Sequence, residues 1–427
     1  SKIKIWVDKD NIRLFIPSTI YLSDEQQEFI RHNKSQILNC LYNNLVISKE
    51  YDHLILKSIV SKQVLSFAQE RLWFIDRYEE GTNAYNIPLI FKLANDIEIE
   101  VLEKSISNIV ERHEILRTVI KEDSTNVYQL VKDYNDLSIE IIRKVTVENQ
   151  EDLDQEIIKE VNHVFNLSAE LPIRATIYSF RSDYYLSVVV HHIAFDGWSV
   201  DVLLKELEEY YRYYRSNLED KLNLPYLGIQ YKDFALWQRS YLTGERLERQ
   251  LGYWRDKLAG YSTLNLIIDK PRPKQINYAG EDYYFEIEEE KSESLRKLAK
   301  NLNISLYSLL LAAYYLMLRV YSNQDDIVIG SPIANRHYAK VENLIGFFIN
   351  SLALRVKIDT KDSIRKFIQE VGDSVIEAQL YQDLPFEKLV EELNISKDTS
   401  RHPIFQVMFS VQNFGWGNGS SILEYYE

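Results

Sequence analysis

Two adjacent histidines, His191 and His192, and Asp196 a little further on are the side chains whose types and spacing best suit chemistry. An imidazole of pKa about 6.5 can take up or relay a proton near neutral pH, and an attacking α-amino group of pKa about 8 needs such a partner. A histidine with an aspartate also suggests a hydrolase triad, but no Gly-x-Ser-x-Gly segment supplies a nucleophile. A metal site is disfavoured, because adjacent strand histidines diverge and no second His/Cys cluster completes four ligands.

The elements around these residues follow from the local pattern. Leu186 to Val190 is apolar and β-branched apart from one serine, which predicts a buried strand that carries the histidines at its end. Side chains alternate along a strand, so His191 and His192 should face opposite sides unless a bulge intervenes, and only one can reach a shared cavity while the other supports it. Asp196-Gly197 is typical of a turn. An amphipathic helix is predicted after it from the apolar positions Val200, Leu203, Leu204, Leu207, Tyr211 and Tyr214.

Composition limits the class of protein. The 427 residues suffice for about two to four domains, and 45% of them are hydrophobic without an apolar run near the roughly 18 residues that span a bilayer. A net charge of −14 argues against a nucleic-acid partner, because phosphate binding depends on Lys and Arg. The sequence starts without a signal-peptide pattern, and the single cysteine, Cys40, cannot form an internal disulfide. We therefore expect a cytoplasmic protein without nucleic-acid or membrane partners.

The first residues predict a small unit of their own. Ile3 to Val7 and Ile12 to Ile16 are short alternating runs around a polar turn, which predicts a β-hairpin. Ser23 with Gln26 gives a capping box, and a helix with a break is predicted from Asp24 to Tyr42. An exposed hairpin edge suits the capture of an extended peptide as an added strand. The alternative is a hairpin that only packs on the main body.

Strands and helices alternate through the rest of the chain. In the first half, the patterns predict a helix from Leu65, a helix from Val101 to His113 and one around Asp152 to Phe165, with strands at Leu89 to Leu93, Val127 to Val131, Leu137 to Ile142 and Ile173 to Ser179. In the second half, they predict a strand from Tyr283 to Ile287, helices near Ser292 to Leu302, Leu306 to Tyr321 and Ser363 to Ala378, and a strand from Leu352 to Val356. His113, at a helix end, is expected to be a structural histidine rather than a catalyst.

His-His-x-x-x-Asp-Gly, from His191 to Gly197, resembles the signature of the condensation domains of nonribosomal peptide synthetases and their acyltransferase relatives. Other segments match family motifs in the family's order between residues 65 and 413, namely Leu65–Phe74, Arg112–Thr118, Tyr231–Gln238, Ile345–Ser351 and Arg401–Phe409. Tyr381 departs from the pattern, since a histidine is common there, and little functional cost is expected. The N-terminal order of hairpin and helix resembles the small docking domains that some synthetase subunits carry.

This resemblance implies an α/β (α+β) fold with two lobes, each similar to a chloramphenicol acetyltransferase subunit, that meet in a V with a tunnel along the cleft. The expected division is residues 1–60 for the docking domain and linker, 61–238 for the N-terminal lobe and 239–427 for the C-terminal lobe. The tail from Asn418 is expected to be a trimmed end rather than an added β-forming docking peptide.

The same resemblance assigns the candidate site residues. His192 is expected in the tunnel, as a base or as an acceptor that positions the amine, with His191, Asp196 and Gly197 completing the motif. Asp196 is expected to be a structural anion paired with Arg336. Gly197 is expected to allow an unusual backbone angle and the close passage of a pantetheine arm. The expected structural or tunnel residues are Arg336, Asn350, Trp198 and Ser199, with Asn350 equally consistent with a purely structural amide.

The implied activity is that of an acyltransferase that forms an amide between a donor thioester and an acceptor amine. No covalently bound cofactor is expected, since both substrates would arrive on the phosphopantetheine arms of upstream and downstream carrier proteins, with a free amine as an alternative acceptor. The docking unit would bind a C-terminal peptide of an upstream subunit. The segment from Ser66 to Phe74 is most similar to domains that accept donors ending in a D-residue. Two rivals are an epimerisation domain, disfavoured by Gly197 and the Trp-Ser order after it, and a catalytically inactive recruitment module, disfavoured by the intact motif.

Overall fold

The computed structural model describes residues 4–8, 11–15, 55–78, 81–124, 126–136, 142–216, 221–274, 280–393, 400–412 and 421–426, together with six residues between 28 and 38. The chain forms two compact units. The first contains Ser1–Tyr241, Arg336–Phe348 and Phe414–Glu427, and the second contains Leu242–Asn335 and Ile349–Asn413.

A five-stranded sheet forms the centre of the first unit, and it carries the histidines. Its strands are β4 Asn86–Leu93, β7 Ile142–Val147, β8 Ile173–Phe180, β9 Asp183–His191 and β12 Leu423–Tyr425. Their order in the sheet is β12-β4-β9-β8-β7. Only β7 and β8 are parallel, and β9 lies between two antiparallel neighbours, β4 and β8. The predicted strand Ile173 to Ser179 is β8, and it pairs with the histidine strand.

The helices of the first unit begin within two residues of the predicted starts, except for the helix at Tyr231, where only a family motif was noted. They span Phe67–Tyr78, Ile99–Arg112, Gln150–Val161, Gly197–Arg215 and Tyr231–Tyr241. The helix Gly197–Arg215 buries its predicted stripe at Val200, Leu203, Leu207 and Tyr211, and Leu204 and Tyr214 are half-buried. Apolar spacing near 3.6 residues per turn therefore placed this helix correctly.

Two smaller sheets accompany the large one. β3 Lys62–Val64, β6 Val127–Val131 and β5 Thr118–Glu122 form a three-stranded antiparallel sheet. β1 Lys4–Asp8 and β2 Asn11–Phe15 form the predicted hairpin, with Asp8 opposite Asn11. Of the predicted helix Asp24 to Tyr42, the six described residues are helical, and the rest, with its capping box, lies outside the described residues.

The second unit packs helices on a two-stranded sheet. β10 Asp326–Ile333 pairs antiparallel with β11 Asn350–Lys357. Its helices span Gly244–Leu258, Glu289–Leu302, Leu306–Ser322, Ile364–Gln379 and Phe386–Glu392. Its core contains the fully buried Trp254, Tyr315, Phe386 and Phe405. Across the described part of the chain, no single helix is long and apolar enough to cross a membrane. The helices Glu289–Leu302 and Leu306–Ser322, which meet at a bend of 103°, are long and apolar enough only when taken together.

One sequence-based prediction of a strand differs from the structure. The run from Tyr283 to Ile287 is not a strand: it is irregular, and Tyr283, Tyr284 and Phe285 are 75–88% exposed. Among the strands that the structure describes, none pairs with this run, and β-propensity alone does not create a ladder. The predicted strand Leu137 to Ile142 falls largely on residues outside the described ranges, and the observed strand begins at Ile142.

The two units are not continuous in sequence. The long first segment of the first unit ends at Tyr241, close to the predicted boundary at 238/239. The chain returns to the first unit twice, at Arg336–Phe348 and at Phe414–Glu427. The second return places β12 beside β4, so Leu423–Tyr425 is a strand of the chain's own sheet. The described residues before Ser61 also group with this first unit.

Candidate active site

His191 is the last residue of β9 and is completely buried. Its Nδ1 accepts a hydrogen bond from the backbone N–H of Ile193 at 3.1 Å, so the neutral ring carries its proton on Nε2. Phe165 packs edge-on against the ring, with centroids 5.9 Å apart. Burial, with a smaller contribution from neighbouring His192, lowers the pKa of His191 to about 4. His191 is therefore a neutral support for the turn that follows it.

His192 begins a 3-10 turn, His192–Ala194, and its side chain is half-buried. The strand ends before it, so the turn rather than strand alternation separates the two imidazoles. Nδ1 lies 2.6 Å from the carbonyl oxygen of Phe195. A carbonyl only accepts, so Nδ1 carries the proton and donates, and Nε2 of the neutral ring is left as an acceptor. Among the residues that the structure describes, no hydrogen-bond partner for Nε2 is found.

Asp196 caps the helix Gly197–Arg215 and is almost fully buried. Its Oδ1 accepts from the backbone N–H of Ser199 at 2.9 Å and from the Ser199 hydroxyl at 2.7 Å. Its Oδ2 accepts from the backbone N–H of Phe348 at 3.0 Å. Because these donors occupy the carboxylate and His192 Nδ1 donates elsewhere, the two residues do not form a hydrolase-type His–Asp pair.

Arg336 is the predicted partner of Asp196, and the ion pair is present, with Nη2 2.9 Å from Oδ1. The same Nη2 donates to the Ser199 hydroxyl at 3.0 Å, and Nη1 donates to the carbonyls of Val341 and Leu344 at 2.8 and 2.6 Å. Burial lowers the pKa of Arg336, and the neighbouring carboxylate opposes that shift. We call residues Arg336–Phe348 the Arg336 segment. The ion pair holds this segment against the turn that follows β9.

The remaining motif residues have local roles. Gly197 is the first residue of its helix, and positive φ occurs at Gly81, Gly244 and Gly260 but not there, so the expected unusual backbone angle is wrong. A helix start needs ordinary dihedral angles. Trp198 is partly exposed and its indole N–H donates to the Glu342 carbonyl at 3.0 Å.

Ser199 is buried against the Arg336 segment and accepts from the backbone N–H of Gly346 at 3.1 Å. Among the residues described, no three His, Cys, Asp or Glu side chains are grouped as a metal site.

Asn350 and His113 have structural partners. Asn350 Nδ2 donates to the carbonyls of Gln382 and Leu384 at 2.9 and 2.8 Å, and its Oδ1 accepts from Phe386 N at 3.0 Å, all within the second unit. This supports the structural-amide alternative over a tunnel-wall role. Buried His113 lies 2.8 Å from Glu206 through Nε2 and accepts from Ile345 N at 3.3 Å, as expected of a structural histidine.

Phe347 is a neighbour of His192 that we did not predict. Its ring centroid lies 4.7 Å from that of His192, at an interplanar angle of 62°. The residue belongs to the Gly-Phe-Phe-Ile-Asn segment that the resemblance had singled out, so a signal was present in the sequence. That the ring contacts the histidine depends on the return of the Arg336 segment, which no local pattern encodes.

Comparison with known proteins identifies the family. The family model described as Condensation domain matches residues 60–424. N-(5-amino-5-carboxypentanoyl)-L-cysteinyl-D-valine synthase of Amycolatopsis lactamdurans is 42% identical over 355 residues, which is 82% of this chain but 9% of that protein.

Two solved structures are also similar. The X-domain from teicoplanin biosynthesis has a TM-score of 0.74 at 26% identity over 83% of this chain and 79% of that one. A four-domain nonribosomal peptide synthetase has a TM-score of 0.70 at 25% identity over 84% of this chain and 27% of that one. With the signature residues gathered at the end of β9, these matches show that the chain belongs to the condensation-domain family of nonribosomal peptide synthetases.

Proposed function

We propose that the chain catalyses amide formation by attack of an acceptor amine on the carbonyl of a donor thioester. The new C–N bond forms as the C–S bond breaks, and the proton lost by the amine ends on the departing thiolate. His192 Nε2 would accept or hold that proton. The observation that carries the proposal is the Nδ1–H···O=C bond from His192 to Phe195 at 2.6 Å, because it leaves Nε2 as an acceptor.

Proton transfer is only part of the expected acceleration. A positioned base contributes about 10² to 10⁴ in rate, whereas alignment of two substrates supplies about 7 to 11 kcal/mol of the barrier. We therefore expect His192→Ala to impair turnover without abolishing it. Asp196 and Arg336 would contribute by holding the turn and not by touching the substrates.

The substrates would be carried by other proteins. The phosphopantetheine arms of an upstream and a downstream carrier protein would present the donor and the acceptor, or a free amine would replace the acceptor. The arm is a substrate carrier and not a resident cofactor. A cytoplasmic location is consistent with the single cysteine, Cys40.

One assay separates amide formation from the alternatives. The protein is incubated with a donor loaded on a carrier and with an amine, and the products are analysed by intact mass and chiral chromatography. Amide product supports the proposal, and reduced amide product with His192→Ala and His192→Gln assigns the imidazole. An inverted donor stereocentre without amide would show an epimerisation domain. Binding of the carrier without any product would show a recruitment module.

The hairpin would add a docking function. β1 and β2 form a two-stranded sheet by themselves, so within the described residues each strand has one edge without a neighbouring strand. A C-terminal peptide of an upstream subunit could pair with such an edge. Deleting residues 1–54 should abolish binding of that peptide and leave amide formation from freely added substrates unchanged. Equal peptide binding by the shortened protein would contradict docking.

A further inference from the structure

The turn that carries His192 is hydrogen-bonded to the start of the helix Phe67–Tyr78, where a second set of buried side chains lies. At that start, Ser66 and Gln69 form a reciprocal capping box: Ser66 N donates to Gln69 Oε1 and Gln69 N donates to Ser66 Oγ, both at 3.1 Å. Both side chains are 1% exposed. Gln69 Nε2 then donates to the carbonyl of Ile193, within the turn that carries His192, at 3.3 Å.

Tyr231 extends the same set toward Phe347. Its hydroxyl donates to the Phe347 carbonyl at 2.7 Å and lies 2.9 Å from Ser66 Oγ. Because the phenol has one proton and gives it to the carbonyl, the Ser66 hydroxyl donates to the phenol oxygen. Tyr231 is buried, and burial raises the pKa of its hydroxyl well above the usual value, so it stays a donor.

Phe347 completes the path to the imidazole. Its ring is half-buried and meets the His192 ring at 4.7 Å, in an edge-on arrangement favoured for aromatic pairs. An imidazole can turn about two side-chain torsions. The Nδ1 hydrogen bond to Phe195 fixes one edge of the ring, and the contact with Phe347 limits rotation of its plane.

We infer that Phe347 is a positioning residue that sets the direction of His192 Nε2, and that the Ser66–Tyr231 pair holds Phe347 in place. This inference deepens the proposed function and rests on it. Three motif segments contain Ser66, Tyr231 and Phe347, and the proton-accepting role of His192 does not explain them. The inference assigns all three the same role, which is to position His192.

The test compares Phe347→Ala, Phe347→Tyr and Tyr231→Phe with the wild-type chain. Misplacement of a reacting group by about 1 Å can cost about 10²-fold, so we expect Phe347→Ala to lower kcat for amide formation by about ten- to a hundredfold with KM nearly unchanged. Phe347→Tyr keeps the ring and should retain most of kcat. Tyr231→Phe should lower kcat less than Phe347→Ala. Phe285→Ala and Tyr226→Phe make the same chemical changes at exposed positions and should behave as the wild type.

A second readout does not need turnover. In histidine-labelled protein, the His192 ring resonance, assigned from its loss in His192→Gln, should move in Phe347→Ala because the ring current of Phe347 is removed. It should stay near the wild-type position in Phe347→Tyr. Unchanged kcat together with an unmoved resonance in Phe347→Ala would overturn the inference. A wild-type chain that forms no amide but shows these resonance shifts would contradict the proposed function and leave the positioning role supported.

Discussion

Arg336 Nη2 lies 2.9 Å from Asp196 Oδ1, and both side chains are 2% exposed. The pair joins residues 140 positions apart in the sequence and closes the Arg336 segment over the turn that presents His192. Because both groups are buried from bulk solvent, each charge depends on the other.

The first prediction concerns this pair. Asp196→Asn keeps the shape of the side chain and an oxygen for the Ser199 cap, but it leaves the Arg336 guanidinium buried without its counter-charge. We expect a loss of about 3 to 5 kcal/mol in the free energy of unfolding, measured by urea denaturation. The double variant Asp196→Asn with Arg336→Met should lose less than the sum of the single variants. Additive losses would show that the charges do not interact.

The second prediction concerns pH. The pKa of His191 is about 6.5 in the unfolded chain and about 4 in the folded protein. Between pH 4 and pH 6.5, His191 binds a proton in the unfolded state but not in the folded state. The stability that comes from the neutral His191 is therefore complete above pH 6.5 and is lost as the pH falls towards 4. The total is about 3 kcal/mol. Unfolding free energies measured across this range should fall more steeply for the wild type than for His191→Gln, whereas exposed His337→Gln should follow the wild type. Parallel curves for the wild type and His191→Gln would contradict the buried neutral histidine.

The third prediction concerns Gly346. A Cβ at this position would overlap the ring of Tyr231 and lie 2.7 Å from Phe348 Cε2, both buried. Gly346→Ala should therefore destabilise the protein by about 1 to 3 kcal/mol. Gly252→Ala is the matched control: it lies in the helix Gly244–Leu258 with open space around it and should stabilise by about 0.5 to 1 kcal/mol. Equal effects of the two substitutions on the unfolding midpoint would show that the packing around Gly346 is loose.

The fourth prediction concerns the departure from the family pattern at Tyr381. Its ring stacks on Tyr253 with centroids 4.0 Å apart and planes 3° apart, in the second unit. Tyr381→His keeps a flat ring but loses contact area, so we expect a stability loss of about 1 kcal/mol and unchanged kcat for amide formation. A large loss of kcat would assign this position a catalytic part that the structure does not indicate.

Local patterns in the sequence were sufficient for most elements. The β-branched run before His191, the apolar stripe after Asp196 and the hairpin at the start each produced the predicted strand or helix, because burial on one face imposes a period that the sequence carries. The run from Tyr283 to Ile287 shows the limit of that reasoning. Its composition suits a strand, but strand formation needs a partner with free backbone groups.

The parts of the site that were not predicted depend on contacts between distant segments. The family resemblance supplied Arg336 as a partner for Asp196, but neither the ring contact of Phe347 nor the Ser66–Tyr231 bond follows from spacing. The tautomers of His191 and His192 likewise depend on which backbone group each Nδ1 meets, Ile193 N in one case and the Phe195 carbonyl in the other. Such choices are made by turn geometry, which periodicity does not specify.

The short strand β12 has a consequence for handling the protein. Leu423–Tyr425 pairs with β4 and satisfies backbone N–H and C=O groups of β4 that would otherwise be unpaired at the edge of the five-stranded sheet. Removing those three residues would leave β4 as an unpaired edge strand, to which a strand of another molecule could pair. It would also expose the ring of Phe91, whose centroid lies 4.6 Å from that of Tyr425. A shortened chain should therefore self-associate at concentrations where the intact one stays monodisperse.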